Sequence, residues 1–203
     1  ETLAIIGATG SGKSTLVSLI PRFYDATEGQ VLVDGVDVRE YDQRSLRNKI
    51  GYVSQKATLF TGTIASNVAY GDNGEAPPSP ADVQAAVATA QAEDFVTHME
   101  GGYEGYVAQG GANLSGGQKQ RLSIARAIAR KPEILLFDDA FSALDYKTDR
   151  VLRSALDQTC QNTTRIIVAQ RIGTIRDADQ IIVLDDGQIA GIGKHQDLMQ
   201  TCG

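Results

Sequence analysis

Nine residues near the start of the chain, Gly7-Ala8-Thr9-Gly10-Ser11-Gly12-Lys13-Ser14-Thr15, have the types and spacing needed to hold a run of phosphates. They spell GxxxxGKS, the P-loop pattern, directly after the apolar run Leu3-Ala4-Ile5-Ile6. The glycines allow a tight backbone turn with inward N–H groups, and a helix starting near Gly12 adds the positive end of its dipole. Thr9, Gly10, Ser11 and Gly12 form the cradle, and Lys13 reaches the β- and γ-phosphates of a triphosphate. Ser14 offers a hydroxyl to Mg²⁺, an ion that takes oxygen ligands and keeps several waters, while Thr15 donates to the α-phosphate. A chance Gly/Ser-rich turn would lack the strand before and the helix after; here Leu16, Leu19, Ile20 and Phe23 fall at i, i+3, i+4 and i+7, the apolar stripe of a helix.

Two further stretches carry matching chemistry. Asp138 ends the apolar run Ile134-Leu135-Leu136-Phe137, an arrangement that delivers a carboxylate to a bound Mg²⁺. Taken alone it could be a helix-capping aspartate. Leu114-Ser115-Gly116-Gly117-Gln118 precedes a helix over Lys119 to Ala129, with Ser115 as its N-cap and two glycines that permit close backbone approach, so it forms a second anion site at a second helix N-terminus. Along that helix Leu122, Ala125 and Ala129 make the apolar stripe and the Lys and Arg positions are expected to face solvent.

The elements that must position these groups are those of an α/β protein. Ile50-Gly51-Tyr52-Val53-Ser54 reads as a strand with Gln55 at its tip, where α/β sheets bind ligands. Val31 to Val38 reads as a hairpin turning at Asp34-Gly35, and the first helix should end or kink around Pro21. Residues 56–130 change to helix and loop, with a Pro-rich break at Pro77-Pro78-Ser79-Pro80 and an Ala-rich helix over Ala81 to Ala92. Strand signals return at Ile134–Phe137, Arg165–Ala169 and Gln180–Leu184, with a helix around Val151, Leu152, Ala155 and Leu156. Alternation of strand and helix predicts a parallel sheet. The turn Asp185-Asp186-Gly187 leads into Gln188-Ile189-Ala190, and a short amphipathic segment follows. We expect one domain over 1–203, with a core of 1–55 and 131–203 and a helical subdomain of approximately 56–130. The chain opens almost inside its first strand, so N-terminal strands are expected to be truncated.

Composition narrows the class. The 203 residues are 42% hydrophobic and 22% charged, as in a globular domain, and a net charge of −6 argues against nucleic-acid binding through a broad basic surface. No apolar run approaches membrane-spanning length, so a membrane role must come through attached segments. Cys160 and Cys202 lie outside any CxxC or His/Cys cluster and are read as incidental thiols.

With the P-loop, Gln55, LSGGQ at Leu114–Gln118 and Asp138 in that order, followed by Ser142-Ala143-Leu144-Asp145, the sequence resembles the ATP-binding cassette (ABC) ATPases over its whole length. LSGGQ matches the family signature residue for residue. The resemblance implies a P-loop NTPase parallel-sheet core with a helical ABC subdomain and a small antiparallel β portion. ATP and Mg²⁺ are the implied cofactors, with Ser14, Gln55 and Asp138 about the metal. Ser142–Asp145 occupies the D-loop position. The resemblance also implies a head-to-tail dimer in which Ser115, Gly116, Gly117 and Gln118 contact the ATP held by the partner's P-loop. Leu59-Phe60-Thr61-Gly62-Thr63-Ile64 through Asn67-Val68 is similar to the exporter branch, where this surface receives coupling helices of transmembrane domains at the cytoplasmic face of a membrane. The family's adenine-stacking tyrosine would precede Glu1.

Three positions depart from the family. Its catalytic glutamate is replaced by Asp139, its H-loop histidine by Gln170, and Gln109 stands before the signature where many exporters have glutamate. The shorter Asp139 is expected to be a weak base, and Gln170 can donate a hydrogen bond but cannot carry a proton at neutral pH. His98 and His195 are elsewhere and read as ordinary surface or loop histidines. The pattern resembles the degenerate-site subunit of a heterodimeric exporter, with Asp139, Gln170 and Gln55 as the catalytic set of a weak site and LSGGQ lent to a non-identical second cassette. The alternatives are a regulatory ATP-binding module and a soluble ABC ATPase. Chromosome-maintenance ATPases would place a long coiled coil between P-loop and signature, and no heptads occur between Thr15 and Leu114.

Overall fold

In the computed structural model, which describes residues 1–201, side chains alternate across a central sheet in the period of two that β-strands impose. The elements run in order as β1 (Thr2–Gly7), α1 (Lys13–Ser18), β2 (Leu32–Val33), β3 (Val36–Asp37), α2 (Gln43–Asn48), β4 (Ile50–Val53), β5 (Gly62–Thr63), α3 (Ile64–Val68), α4 (Pro80–Thr89) and α5 (Glu93–His98). There follow β6 (Tyr106–Val107), α6 (Gly116–Ala129), β7 (Ile134–Asp138), α7 (Tyr146–Thr159), β8 (Thr164–Val168), α8 (Ile172–Ile175), β9 (Gln180–Asp185), β10 (Gln188–Gly193) and α9 (His195–Thr201). The main sheet has the order β10-β9-β1-β8-β7-β4, parallel except for β10, which turns back from β9 as an antiparallel edge.

Both faces of the central strands β7 and β1 are covered, so these strands are apolar on both sides, while the edge strand β10 is mostly exposed. On β7, Leu135 and Phe137 enter the large core that includes Leu122, Ile124, Leu152 and Leu156, while Leu136 points to the opposite face with Leu46, Ile50 and the hairpin residue Val33. On β1, Ala4 joins the first core, and Ile5 packs with Val17, Val168 and Leu184 under α1. The hairpin β2–β3 turns at Asp34 and Gly35, both at positive φ, as a two-residue connection between twisted strands requires.

Three local expectations need correction. The first helix is only Lys13–Ser18, and its buried apolar residue is Val17; Leu16 and Phe23 are exposed. Beyond Ser18 the chain tightens into turns that bond three residues back, Leu19 to Leu16 and Ile20 to Val17. Pro21 lacks an N–H and its ring crowds the carbonyl four residues earlier, which ends the regular helix. The Ala-rich helix runs Pro80–Thr89, capped reciprocally by Ser79 and Asp82 and stopped before Gln91, which is at positive φ. The arginines of α6 do not simply face solvent. Arg121 donates to the Gln91 carbonyl, Arg130 to that of Asp72, and Arg126 to the carbonyls of Asn67 and Thr58 and to Asn67 Oδ1. They bind carbonyls that no ladder satisfies, in loops and at the last turn of α3.

Among the described residues no helix is long and apolar enough to cross a membrane; Cys202 lies outside them. Arg126 is the strongest of the three arginine anchors, with bonds of 2.7, 2.8 and 2.9 Å, and its guanidinium stacks near the rings of Phe60 and Tyr70. Replacing Arg126 with Met keeps the stem but strands the part-buried Asn67 carbonyl, while the exposed Thr58 carbonyl can turn to water, so urea denaturation should show a loss of about 1–3 kcal/mol. A loss within about 0.5 kcal/mol, the range of an ordinary surface change, would mean that the anchor carries no weight.

Candidate functional site

Parallel pairing puts the carboxyl ends of the strands on one edge. Val53 pairs with Phe137, Asp138 with Val168, and Val168 lies beside Ile5 of the strand that ends at Gly7. The residues just past these ends therefore meet: Gln55 after β4, Asp138 and Asp139 at the end of β7, Gln170 after β8, and the P-loop after β1. Thr9, Gly10, Gly12, Lys13, Ser14, Thr15, Gln55, Asp139, Val168 and Gln170 line a common cleft of about 290 Å³.

The P-loop closes on its own lysine. Lys13 Nζ donates to the carbonyls of Gly7 (2.8 Å) and Ala8 (2.7 Å) and to Ser11 Oγ (3.3 Å). Two glycines are required by the geometry: a Cβ on Gly7 would stand 2.1 Å from the Leu184 carbonyl oxygen, and Gly12, which precedes α1, sits at φ 94°. Ser11 is anchored in turn, its carbonyl accepting from the Gly187 N–H in the β9–β10 turn.

Asp138 is 8% exposed and holds two hydroxyls, Ser14 Oγ at 2.7 Å on Oδ1 and Tyr52 Oη at 3.0 Å on Oδ2. The Ser14 hydroxyl and the Asp138 carboxylate are hard oxygen donors side by side, and they fit a Mg²⁺ ion that draws few ligands from protein and the rest from water and phosphate. The described residues contain no cluster of three His, Cys, Asp or Glu. Burial, and next the Asp138 charge, push the Tyr52 phenol up to about 12, so it stays a donor. Tyr52 was not legible as a site residue. Its position one before the strand's last residue was the available signal.

Asp139 adopts φ 52°, a left-handed conformation that Asp tolerates better than most residues, and its N–H still donates to the Val168 carbonyl. This turn swings the side chain away from Asp138 and toward two carboxamides: Gln55 Nε2 donates to Oδ2 at 2.9 Å and Gln170 Nε2 to the same oxygen at 3.1 Å. Burial first, then the adjacent Asp138 charge, raise the Asp139 carboxyl above its ordinary range.

Ser115, Gly116, Gly117 and Gln118 do not join this cleft. Ser115 caps α6, exchanging bonds with Gln118 in a capping box. Ser115 and Gly116 are exposed, and a Cβ on Gly116 would meet nothing within 4 Å, so this helix start is open to an approaching surface. Neither Gln109 nor His98 lines the cleft, and His98 lies on the surface beside the Asp94 carbonyl.

Comparison with known proteins agrees with this geometry. A family model described as ABC transporter matches residues 1–142. An uncharacterized ABC transporter ATP-binding protein of Mycobacterium tuberculosis is 51% identical over 201 residues, covering 99% of this chain and 34% of the relative. An ATP-dependent lipid A-core flippase of Pseudomonas putida is 45% identical over 203 residues, all of this chain and 33% of the flippase. The solved structure of a bacterial Atm1-family ABC exporter with ATP bound superposes with a TM-score of 0.93 at 44% identity, covering 99% of this chain and 35% of the exporter. The chain thus spans about a third of the length of the relatives it matches.

Two outcomes follow from these contacts. Lys13→Ala removes the only cation lining the cleft among the described residues, and nucleotide affinity measured by fluorescence titration should fall on the order of tenfold or more, the worth of a charge-assisted hydrogen bond; unchanged affinity would mean that phosphate binds elsewhere. Asp139→Asn removes a carboxylate whose ionised form is disfavoured in the folded protein. A raised folded value means that the protonated form stabilises the fold at low pH and that this is lost as pH rises, so the Asn variant should melt above the parent at pH 7. The difference should shrink as pH falls below the ordinary carboxylate range. A variant that melts lower at pH 7 would show that the two glutamine bonds outweigh the burial and the neighbouring charge.

Proposed function

The chain belongs to the ABC transporter family, as an ATP-binding domain of exporter type, and from that premise we propose that it is the weak-site half of a heterodimeric exporter. The P-loop amides and Lys13 bind the phosphates of ATP, and Ser14, Gln55 and Asp138 surround the Mg²⁺ that neutralises their charge. Asp139 is the group nearest to a general base. It receives the proton of the attacking water on a carboxylate one methylene shorter than the glutamate of the family, and a misplacement of ~1 Å costs on the order of 10²-fold in rate.

The observation that carries the proposal is the double hold on Asp139 Oδ2 by Gln55 and Gln170. An imidazole at position 170 could donate to a γ-phosphate and titrate near neutrality; the carboxamide only donates, and here it donates to the base. Both amides occupy Oδ2, so the proton of an attacking water would have to go to the other carboxylate oxygen. ATP is therefore bound well and turned over slowly at this chain's own site, while the exposed N-terminus of α6 at Ser115–Gln118 serves the ATP of a partner cassette. The helical subdomain of 56–130 and the surface around Phe60 and Tyr70 take the transmembrane domains on the cytoplasmic side of the membrane.

The two halves of this proposal separate in one experiment, steady-state ATPase of the reconstituted heterodimer. Asp139→Asn should change turnover by less than about threefold, since little is left to lose at a site already displaced from working geometry. Gly116→Arg or Ser115→Ala, acting on the other site, should cost ~10²-fold, the effect of removing a preorganised donor at a developing charge. Asp139→Glu combined with Gln170→His should raise turnover. The proposal fails if Asp139→Asn abolishes hydrolysis while Gly116 tolerates substitution.

A further inference from the structure

The Tyr52 hydroxyl donates to Asp138 Oδ2 at 3.0 Å, and no motif in the sequence calls for it. Parallel register explains how it gets there. Tyr52 on β4 pairs with Leu136 on β7, and Asp138 lies two residues farther along β7 on the same face, about 6.6 Å away at ordinary strand rise. A phenol laid along that face spans the gap. Serine or threonine at position 52 would stop short of it, and phenylalanine would bring no donor.

The ring is held by packing as well as by its hydrogen bond. It rests against the core cluster of Leu46, Ile50 and Leu136, and the Phe23 ring meets it edge-on with centroids 5.2 Å apart. Arg47 covers Phe23 in turn while donating to the carbonyls of Pro21 and Arg22. The two hydroxyls on Asp138 therefore differ. Ser14 Oγ, 2.7 Å from Oδ1, turns about a single side-chain bond and can direct a lone pair at a cation. Tyr52 Oη stands at the end of a clamped ring and keeps Oδ2 occupied, so Oδ1 is the oxygen left for a metal. Mg²⁺ accepts few protein oxygens in a strict octahedron, whereas Ca²⁺ takes roughly six to eight oxygens and often both of one carboxylate.

We propose that Tyr52 sets the metal preference of this site: by occupying Oδ2 it confines Asp138 to one oxygen and favours Mg²⁺ over Ca²⁺. Tyr52 acts through Asp138 and is a positioning residue. The proposal rests on the reading that Ser14 and Asp138 hold the metal that accompanies ATP.

The test uses the full-length protein assembled in lipid, the same partner throughout, Mn²⁺ as a paramagnetic probe, the non-hydrolysable analogue AMP-PNP as nucleotide, and Mg²⁺ or Ca²⁺ as competitor. Tyr52→Phe keeps the ring and its contact with Phe23 and removes only the donor. In that variant the Ca²⁺ concentration that displaces half of the Mn²⁺ should fall, relative to that of Mg²⁺, on the order of tenfold, the lower end of what a partner of a metal ligand is worth. A merely structural role would move both metals together, so a ratio within about twofold of the parent, or one shifted toward Mg²⁺, overturns the proposal. Asp138→Asn separates this failure from that of the premise, since it should release Mn²⁺ from this chain's site. If Mn²⁺ stays bound in Asp138→Asn, the metal reading falls and the Tyr52 proposal falls with it. If Mn²⁺ is lost there while Tyr52→Phe keeps the parent ratio, the metal reading stands and the proposal alone falls.

Discussion

The site depends on the in-register parallel pairing of β4, β7, β8 and β1, which brings four chain reversals to one edge of the sheet. Each strand delivers a different polar group, and none of these groups is near another in sequence: Ser14 and Asp138, bonded at 2.7 Å, are 124 residues apart. Parallel strands must be joined by crossovers, and those crossovers are the helices and the 56–130 segment that cover the two faces. A register slip of one residue at β7 would turn Asp138 into the core and Phe137 to the cleft. The apolar alternation of Leu135, Leu136 and Phe137 between two cores prevents it.

Two adjacent carboxylates at the end of one strand are an electrostatic burden that the structure divides rather than removes. The left-handed turn at Asp139 points the two side chains apart, and each is then given its own donors: hydroxyls from Ser14 and Tyr52 for Asp138, carboxamides from Gln55 and Gln170 for Asp139. The Ser14 hydroxyl can rotate as a metal enters, which suits a ligand-exchange role. Carboxamides of glutamine are uncharged at any pH, so they quench the field at Asp139 without supplying or removing a proton. The difference between the two shells is a chemical one, and it follows from residue types rather than from distance.

Much of this was legible in the sequence because the motifs are local. The P-loop needs a strand, a glycine turn and a helix in succession, and the strand after which Asp138 stands is a plain apolar run, so both could be read from spacing. The hairpin at Asp34-Gly35 followed from its turn residues alone. What failed was whatever depended on burial from a distant partner. Leu16 and Phe23 obey a helical stripe, but Pro21 cuts the helix short and the buried residue is Val17. Arg121, Arg126 and Arg130 have the spacing of a solvated face, and only the fold, with the end of α3 at Asn67 and the loops at Asp72 and Gln91, shows that they are the bonds those segments lack. Tyr52 carries no motif and becomes visible once Asp138 is within 3.0 Å.

The position of Gln170 decides how the departures from the family should be weighed together. Had its amide faced into the cleft, an aspartate at 139 and a glutamine at 170 would be two separate departures. Instead the amide closes on Asp139 Oδ2 at a distance that a longer glutamate side chain would change, since the carboxylate would reach past the point where Gln55 and Gln170 now meet it. The two residues are thus fitted to one another, as neighbours sharing a hydrogen bond are expected to be, and their effects should couple rather than add. Restoring only one of them would leave the other without its partner: a glutamate crowded against the Gln170 amide, or an imidazole that faces a carboxylate too short to meet it. The site is a consistent arrangement of its own cleft, and the proposed weak site rests on that fit between the two residues more than on either one alone.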